Sequence, residues 1–445
     1  MDKTIKLDEL ETVKDAYLKD DKNTILRHAL STCSISDVAT SLDHPENQNF
    51  TFSVDIKTLP VCNQRKSGRC WIFSASTVVR EIVAKKLGIT DQFEISQNYI
   101  SYFDKLEKYN YYLENVIDLV LKGEPKDGRK MQFLLQMGVG DGGQWDMYVD
   151  LIKKYGIVPK SCFPETAQSN ETRFSSILCN SALRQFSVEA YKHKDEGIDA
   201  LHEIKGVYMK KIYNLLTNAF GVPPTSFDFE YKDKDGKYHL EKDLTPKAFF
   251  NKYVGDEIDE YVSIINAPTA DKKYYQTYNV DLVGNVIDGK PITHLNLPFE
   301  RLEELIITQL KAGEIVWFGS DVSHFGQRPN GVWDDSIFDY VTPYGINLEF
   351  DKADMLDSFH SAMNHAMVLT GVDLKDGKPV RWKIENSWGS DIGNKGYFIM
   401  NESFFQYFVY QAAIKSKYLN DDELKALKGD AVLLNPWDPF GTLAD

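Results

Sequence analysis

The two stretches of this chain that carry reactive side chains lie far apart, near residues 70 and 370, and any fold it adopts has to bring them together. The first stretch, Ser67-Gly-Arg-Cys-Trp-Ile-Phe73, runs into a helical pattern. Apolar Phe73, Val78, Val79, Ile82 and Val83 recur at helical spacings between Trp71 and Leu87, and Gly88 stands where a C-terminal stop belongs. Cys70 therefore falls in the first turn, where unpaired N–H groups and the helix dipole stabilise a thiolate. In the second stretch His365 opens the apolar run 366–371 and Asn386 closes the run 380–385. Between them Asp376-Gly377 is a two-residue hairpin turn. Folding about that turn sets Met367 opposite Asn386 and His365 opposite Trp388, so His365 and Asn386 become diagonal neighbours on one face. The residues between the two stretches must then be inserted into one body.

A thiol, an imidazole and an amide in this relation have a definite chemistry. An asparagine oxygen that accepts from one imidazole nitrogen fixes the tautomer and leaves the other nitrogen to face the thiol. Cys70 and His365 are expected to rest as thiolate and imidazolium, with Trp388 sheltering the His365–Asn386 hydrogen bond. Attack on an amide carbonyl would create an oxyanion, for which the Cys70 backbone N–H and the side-chain amide of Gln64 are the expected donors. This is the pattern of a cysteine hydrolase that works through a thioester.

Gln64, the Ser-Gly-Arg-Cys-Trp run, the His365 strand and Asn386-Ser-Trp-Gly389 resemble the papain-like cysteine peptidases. Gln64-Arg-Lys-Ser-Gly-Arg-Cys-Trp71, Asp141-Gly-Gly-Gln-Trp-Asp146, Ile265-Asn-Ala-Pro-Thr269 and Asn435-Pro-Trp-Asp-Pro439 are similar to the bleomycin hydrolase and bacterial aminopeptidase C branch, over nearly the whole chain. The resemblance implies an α+β, papain-like fold: a helical lobe, a β-rich lobe and an active site between them. Papain-type motifs place the histidine and asparagine roughly 130 to 150 residues after the cysteine; the much longer separation here implies a large, mainly helical insertion. The expected division is an N-terminal arm at 1–48, the helical lobe at 49–170, the insertion at 171–300, the β-rich lobe at 301–432 and a C-terminal arm at 433–445. The resemblance further implies substrate binding by Gly142 and Gly143 and a C-terminal arm in the cleft, with the Asp445 carboxylate meeting the substrate's amino group. It also implies a homohexamer. The expected activity is removal of N-terminal residues from small peptides. The ending departs from the family's pattern at Phe440 and Thr442, so an endopeptidase cutting internal bonds stays open, as does a cysteine acyltransferase.

Composition narrows the setting. The charged start, Met1-Asp-Lys-Thr-Ile-Lys-Leu-Asp8, has no apolar signal region. The five cysteines are odd in number and irregularly spaced. Both features point to a reducing, cytoplasmic location. No run approaches a membrane span, and a net charge of −15 makes nucleic acid an unlikely partner. No cofactor is implied. The spacing of His360 and His365 does not match the i, i+4 pair of helical metal ligands, and Asp233-Lys-Asp-Gly236 reads as a hairpin turn rather than a calcium loop.

Overall fold

The computed structural model describes residues 4–444 apart from 42 and 44. The helix expected from the cysteine motif spans Cys70–Leu87 and ends at Gly88, whose φ of +68° is the left-handed stop that glycine adopts without a Cβ penalty. Ser96 caps the next helix, Gln97–Leu121, by accepting from the Tyr99 N–H. A third helix, Trp145–Tyr155, follows the Asp141-Gly-Gly segment. The pattern from Ser175 to Ala219 reads as one long helix, but the chain forms two, Arg173–Lys192 and Ile198–Phe220. Gly197, at φ +89°, breaks the run. These two helices pack on Gln97–Leu121 around Tyr109, Leu113, Leu183, Phe186, Leu201 and Tyr208.

Among the described residues a twelve-stranded sheet forms the other half of the fold. Its middle runs Tyr261–Ile265, Val409–Lys415, Val316–Ser320, His365–Lys375, Lys378–Glu385 and Tyr397–Asn401, neighbour to neighbour. Three of its strands, Tyr261–Ile265, Gln276–Val280 and His294–Asn296, lie within 171–300, so that stretch is helical in its first half and sheet-forming in its last part. The sheet buries one face against the Cys70–Leu87 helix and the start of the Trp145–Tyr155 helix, in a core that holds Val78, Val79, Trp145, Trp317 and Val368. The other face packs on Leu302, Ile306, Phe405 and Phe408.

The hairpin carrying His365 keeps the expected register by an indirect route. Lys375 pairs with Lys378 and Leu374 with Pro379, as a two-residue turn demands. A shift between Asp373 and Leu374 moves the ladder by one residue, and a second between Leu369 and Gly371 moves it back, so Val368 faces Glu385. A one-residue slip would turn every side chain to the opposite face. The two irregularities cancel before the chain reaches His365.

The helical pattern from Leu7 to Tyr17 reads as one helix in the N-terminal region, but the chain forms three, Leu7–Leu18, Asp21–Ala29 and Ile35–Ala39. Asp20 and Ser34 cap the additional two, Ser34 in a capping box with Asp37. Residues from Lys22 to Ser41 pack on the 337–344 segment, with Asp339 N–H donating to Ala39 O at 2.8 Å and Ser41 N–H to Ile337 O at 2.8 Å. The first helix, Leu7–Leu18, buries no residue. No helix among the described residues is long and apolar enough to cross a membrane.

The helical and sheet halves are locked by Arg80 of the nucleophile helix, which is 1% exposed. Its guanidinium donates to Glu385 Oε1 at 3.1 Å and to the carbonyls of Leu59 and Pro60 at 3.2 and 2.9 Å. Burial pushes the Glu385 carboxyl up, and Arg80 opposes that shift. Arg80→Met should destabilise the protein by about 3–5 kcal/mol, because it strands a buried carboxylate. Urea unfolding will measure this, and Arg80→Met combined with Glu385→Gln should recover much of the loss.

Candidate active site

The cysteine arrives at the cleft through a set of local anchors. Arg69, at the N-cap, is buried against Glu165, with Nη2 3.0 Å from Oε2, and its Nε donates to Ser67 Oγ at 2.9 Å. Ser67 Oγ in turn donates to the Gln64 carbonyl at 2.6 Å. The loop from Gln64 to Cys70 is thus fixed by its own side chains. The backbone N–H groups of Ala366, Trp71 and Cys70 itself lie near the Cys70 thiol and favour its ionised form. The first of these places the sulfur beside the start of the His365 strand.

His365 Nε2 lies 2.9 Å from Asn386 Oδ1. That oxygen also accepts from the Ser387 N–H at 2.7 Å, so it is the acceptor and Nε2 carries the proton, leaving Nδ1 as the basic nitrogen. The Trp388 indole stacks on the imidazole, centroids 4.8 Å apart and planes at 25°. Arg328 covers the outer side of that indole, 4.7 Å from its centroid. Gln64 is joined to the same segment: its N–H donates to Ser387 O at 2.8 Å, and its Oε1 accepts from Ser387 Oγ at 2.5 Å. Its Nε2 gives one hydrogen to Ser67 O at 2.6 Å, and the amide group has a second hydrogen to offer. The structure therefore brings Cys70, His365, Asn386, Gln64 and Trp388 together.

Burial of the two groups works against the expected ion pair. Burial pushes the Cys70 thiol up to about 11, against the pull of the three N–H groups. Burial also pushes the imidazole down to about 4, with Arg328 adding to the shift and Asn386 opposing it. In this covered cleft desolvation favours the neutral thiol and neutral imidazole.

The C-terminal segment supplies much of the cover. Residues 439–444 form a short 3-10 turn in which Phe440 and Leu443 are buried. The Gly143 N–H donates to Leu443 O at 2.8 Å, Gln144 Nε2 to Phe440 O at 3.1 Å, and Thr442 Oγ1 to Met363 O at 2.8 Å. The tail thus occupies the Gly143 donor that the sequence reading assigned to substrate. Phe440 packs edge-on against Tyr410, and Ala444 borders a recess lined by Tyr111, Phe133, Met137 and Leu282. Asp445 lies outside the described residues. The carbonyl of Gly142 is held by Lys108, and Asp141 is held by Lys105. Sequence reasoning missed both lysines, along with Ser387 and Arg328. Charged residues placed among Tyr102, Tyr109 and Tyr112, on the buried side of the helix, were the available signal for the lysines; nothing local marked Arg328.

A family model described as the Peptidase C1-like family matches residues 4–441. Aminopeptidase C of Lactobacillus delbrueckii subsp. lactis is 44% identical, covering 100% of this chain and 99% of the relative. Bleomycin hydrolase of Gallus gallus is 37% identical over 89% of each chain. The crystal structure of PepW from Lactobacillus rhamnosis HN001 superposes with a TM-score of 0.96 at 43% identity, covering 99% of each chain.

With folded values near 4 and the usual unfolded value near 6.5, His365 and the buried His294 stay neutral where the unfolded chain is already protonated. Their contribution is present above pH 6.5 and is lost as pH falls to 4. The urea midpoint should therefore drop across that window, and His365→Ala or His294→Gln should each make the drop shallower.

Proposed function

Because this chain belongs to the Peptidase C1-like family and is a cysteine-type aminopeptidase of papain-like fold, we propose that Cys70, His365, Asn386 and Gln64 carry its reaction. The observation that supports this most is the His365–Asn386 hydrogen bond at 2.9 Å on a strand whose next N–H reaches the Cys70 thiol. As a peptide carbonyl approaches, the Sγ proton passes to His365 Nδ1 and the sulfur forms a bond to the carbonyl carbon. The resulting oxyanion accepts from the Cys70 N–H and the second hydrogen of Gln64 Nε2. Imidazolium His365 gives its proton to the leaving amine, and a C–N bond breaks. Water, deprotonated by the neutral imidazole, then hydrolyses the thioester and returns the thiol. Asn386 holds the ring throughout, and Trp388 keeps water from that hydrogen bond.

The tail accounts for exopeptidase selectivity. With the extended-strand donor of Gly143 engaged by Leu443, the part of the cleft that would accept upstream residues is filled by the chain itself. A carboxylate at Asp445 would attract a substrate ammonium, and Gly142 and Gly143 would align the peptide. Endopeptidase action would require the tail to leave.

The wider setting follows from surface and composition. Leu7, Leu10 and Val13 on the first helix and Phe174, Ile177 and Leu178 on the first helix of the insertion are exposed, which suits burial in an assembly such as a homohexamer. The five cysteines are free, as a cytoplasmic enzyme requires. We propose a division into an arm at 1–48, a helical lobe at 49–170, an insertion at 171–300 whose last part lends three strands to the sheet, a β-rich lobe at 301–432 and a tail at 433–445.

Matched peptides with free and acetylated N-termini, with products read by mass spectrometry, test the activity. Stepwise release from free N-termini alone is expected, and internal cuts indifferent to acetylation would overturn it. Gln64→Ala should lower kcat by about 10²–10³, the loss associated with one oxyanion donor. Cys70→Ala should abolish both turnover and labelling of the Ser67–Phe73 peptide by a thiol-directed epoxide; retained labelling of that peptide would remove Cys70 from its assigned role.

A further inference from the structure

The long helix Gln97–Leu121 places charged side chains where a helix usually presents only apolar ones. Asp104, Lys105 and Lys108 are each 1–5% exposed and lie beneath the 141–143 segment at the edge of the cleft. Lys108 Nζ is 3.0 Å from Asp104 Oδ2 and also donates to the carbonyl of Gly142. Its charge sits 5.2 Å from the centroid of the Trp71 indole, the ring next to the nucleophile. Asp104 is itself held, its Oδ1 accepting from Asn285 Nδ2 at 3.1 Å. An ammonium has three hydrogens and no acceptor capacity. Here a carboxylate and a main-chain carbonyl take two of them, and the indole face meets the charge.

The contact with Gly142 matters because of which peptide it holds. The Gly142 carbonyl and the Gly143 N–H belong to one peptide group, and in a trans peptide they point in opposite directions. Lys108 draws the carbonyl toward the helix, so the N–H faces the cleft, where it meets Leu443 O at 2.8 Å. Gly143 has to be glycine, since a Cβ there would lie 2.4 Å from the Trp71 ring. A peptide between two glycines has little intrinsic preference that would keep its plane from turning. The feature that lets the backbone approach Trp71 therefore leaves the donor free to swing unless something pins it.

We propose that Lys108 is a positioning residue for peptide binding: it fixes the Gly142–Gly143 peptide so that the Gly143 N–H holds the Leu443 carbonyl, and with it the tail against which a substrate's N-terminus is aligned. Asp104 supplies the counter-charge that keeps the ammonium buried and aimed. Lys105 completes the support by holding Asp141, whose Oδ2 accepts from the Gly68 N–H at 3.0 Å and whose carbonyl accepts from Trp71 Nε1 at 2.7 Å. The 141–143 segment and the loop that presents the thiol are thus set from the same helix. The inference rests on the reading that Gly143 and the tail align the substrate.

The test uses the full-length protein with Lys108→Met, and with Asp104→Asn/Lys108→Met, which removes the pair without stranding a buried carboxylate. Two quantities are read: kcat and KM on a tripeptide with a free N-terminus, and hydrogen–deuterium exchange of the segments containing Gly143 and residues 440–444. Loss of a held hydrogen bond should raise KM about tenfold while kcat stays within about twofold, and should speed exchange in both segments about tenfold. Exchange in Gln97–Leu121 should be unchanged in the double variant. Unchanged KM and exchange, or a fall in kcat at constant KM, would overturn the proposal. If Lys108→Met fails to fold, the double variant decides. If the wild-type enzyme releases no N-terminal residue, the functional reading fails, and the exchange measurement still judges Lys108.

Discussion

The short backbone ladder between residues 62–64 and 387–389 is the seam on which the site depends. Gly389 N–H donates to Cys62 O at 3.0 Å and Gln64 N–H to Ser387 O at 2.8 Å, with the Ser387 hydroxyl on Gln64 Oε1. These few contacts join the loop that feeds the nucleophile helix to the segment that follows the histidine hairpin. Side chains from opposite ends of the chain are held in one frame because backbone groups, whose geometry is fixed, meet first. Arg80 on Glu385 repeats the tie one layer deeper, behind the seam. The intervening residues can form a separate helical pack and extra strands without disturbing this frame.

Buried charge is used here as fastening. Arg69–Glu165, Arg80–Glu385, Lys108–Asp104 and Lys105–Asp141 each have one partner at 6% side-chain exposure or less. Each also reaches a backbone carbonyl, a backbone N–H or a loop hydroxyl of a segment that borders the cleft. Ion pairs of this kind contribute little net stability against an apolar alternative, but they fix geometry because breaking one leaves a bare charge in a dry interior. The same dryness weighs against ionisation of Cys70 and His365, opposing the pull of the N–H groups at the helix start.

What the sequence disclosed followed from local rules. The helix ending at Gly88 and the turn at Asp376-Gly377 each depend on residues adjacent to the feature, and each formed where expected. The diagonal relation of His365 to Asn386 survived because two irregularities offset one another, which no local pattern reveals. Gly197 was a readable breaker inside an apparently continuous helix, and Asp20 and Ser34 were readable caps. The late strands at 261–296 were hidden because their partners lie more than a hundred residues on, at 409–415 and 432–434, or within short three-residue ladders. The lysines beneath the cleft were hidden because a charged residue in a helix ordinarily faces water, and only the packed structure shows that these do not.

The engagement of Leu443 with the Gly143 N–H turns the tail into a competitor that dilution cannot remove. A segment tethered this closely acts at an effective concentration on the order of millimolar, whether the enzyme is scarce or abundant. A peptide that would lay residues upstream of the cut on that donor meets this fixed opposition, and one cut at its first bond meets none. The enzyme therefore carries its own limit on how far from a peptide's N-terminus it cuts, set by covalent connection and insensitive to how much of it the cell makes.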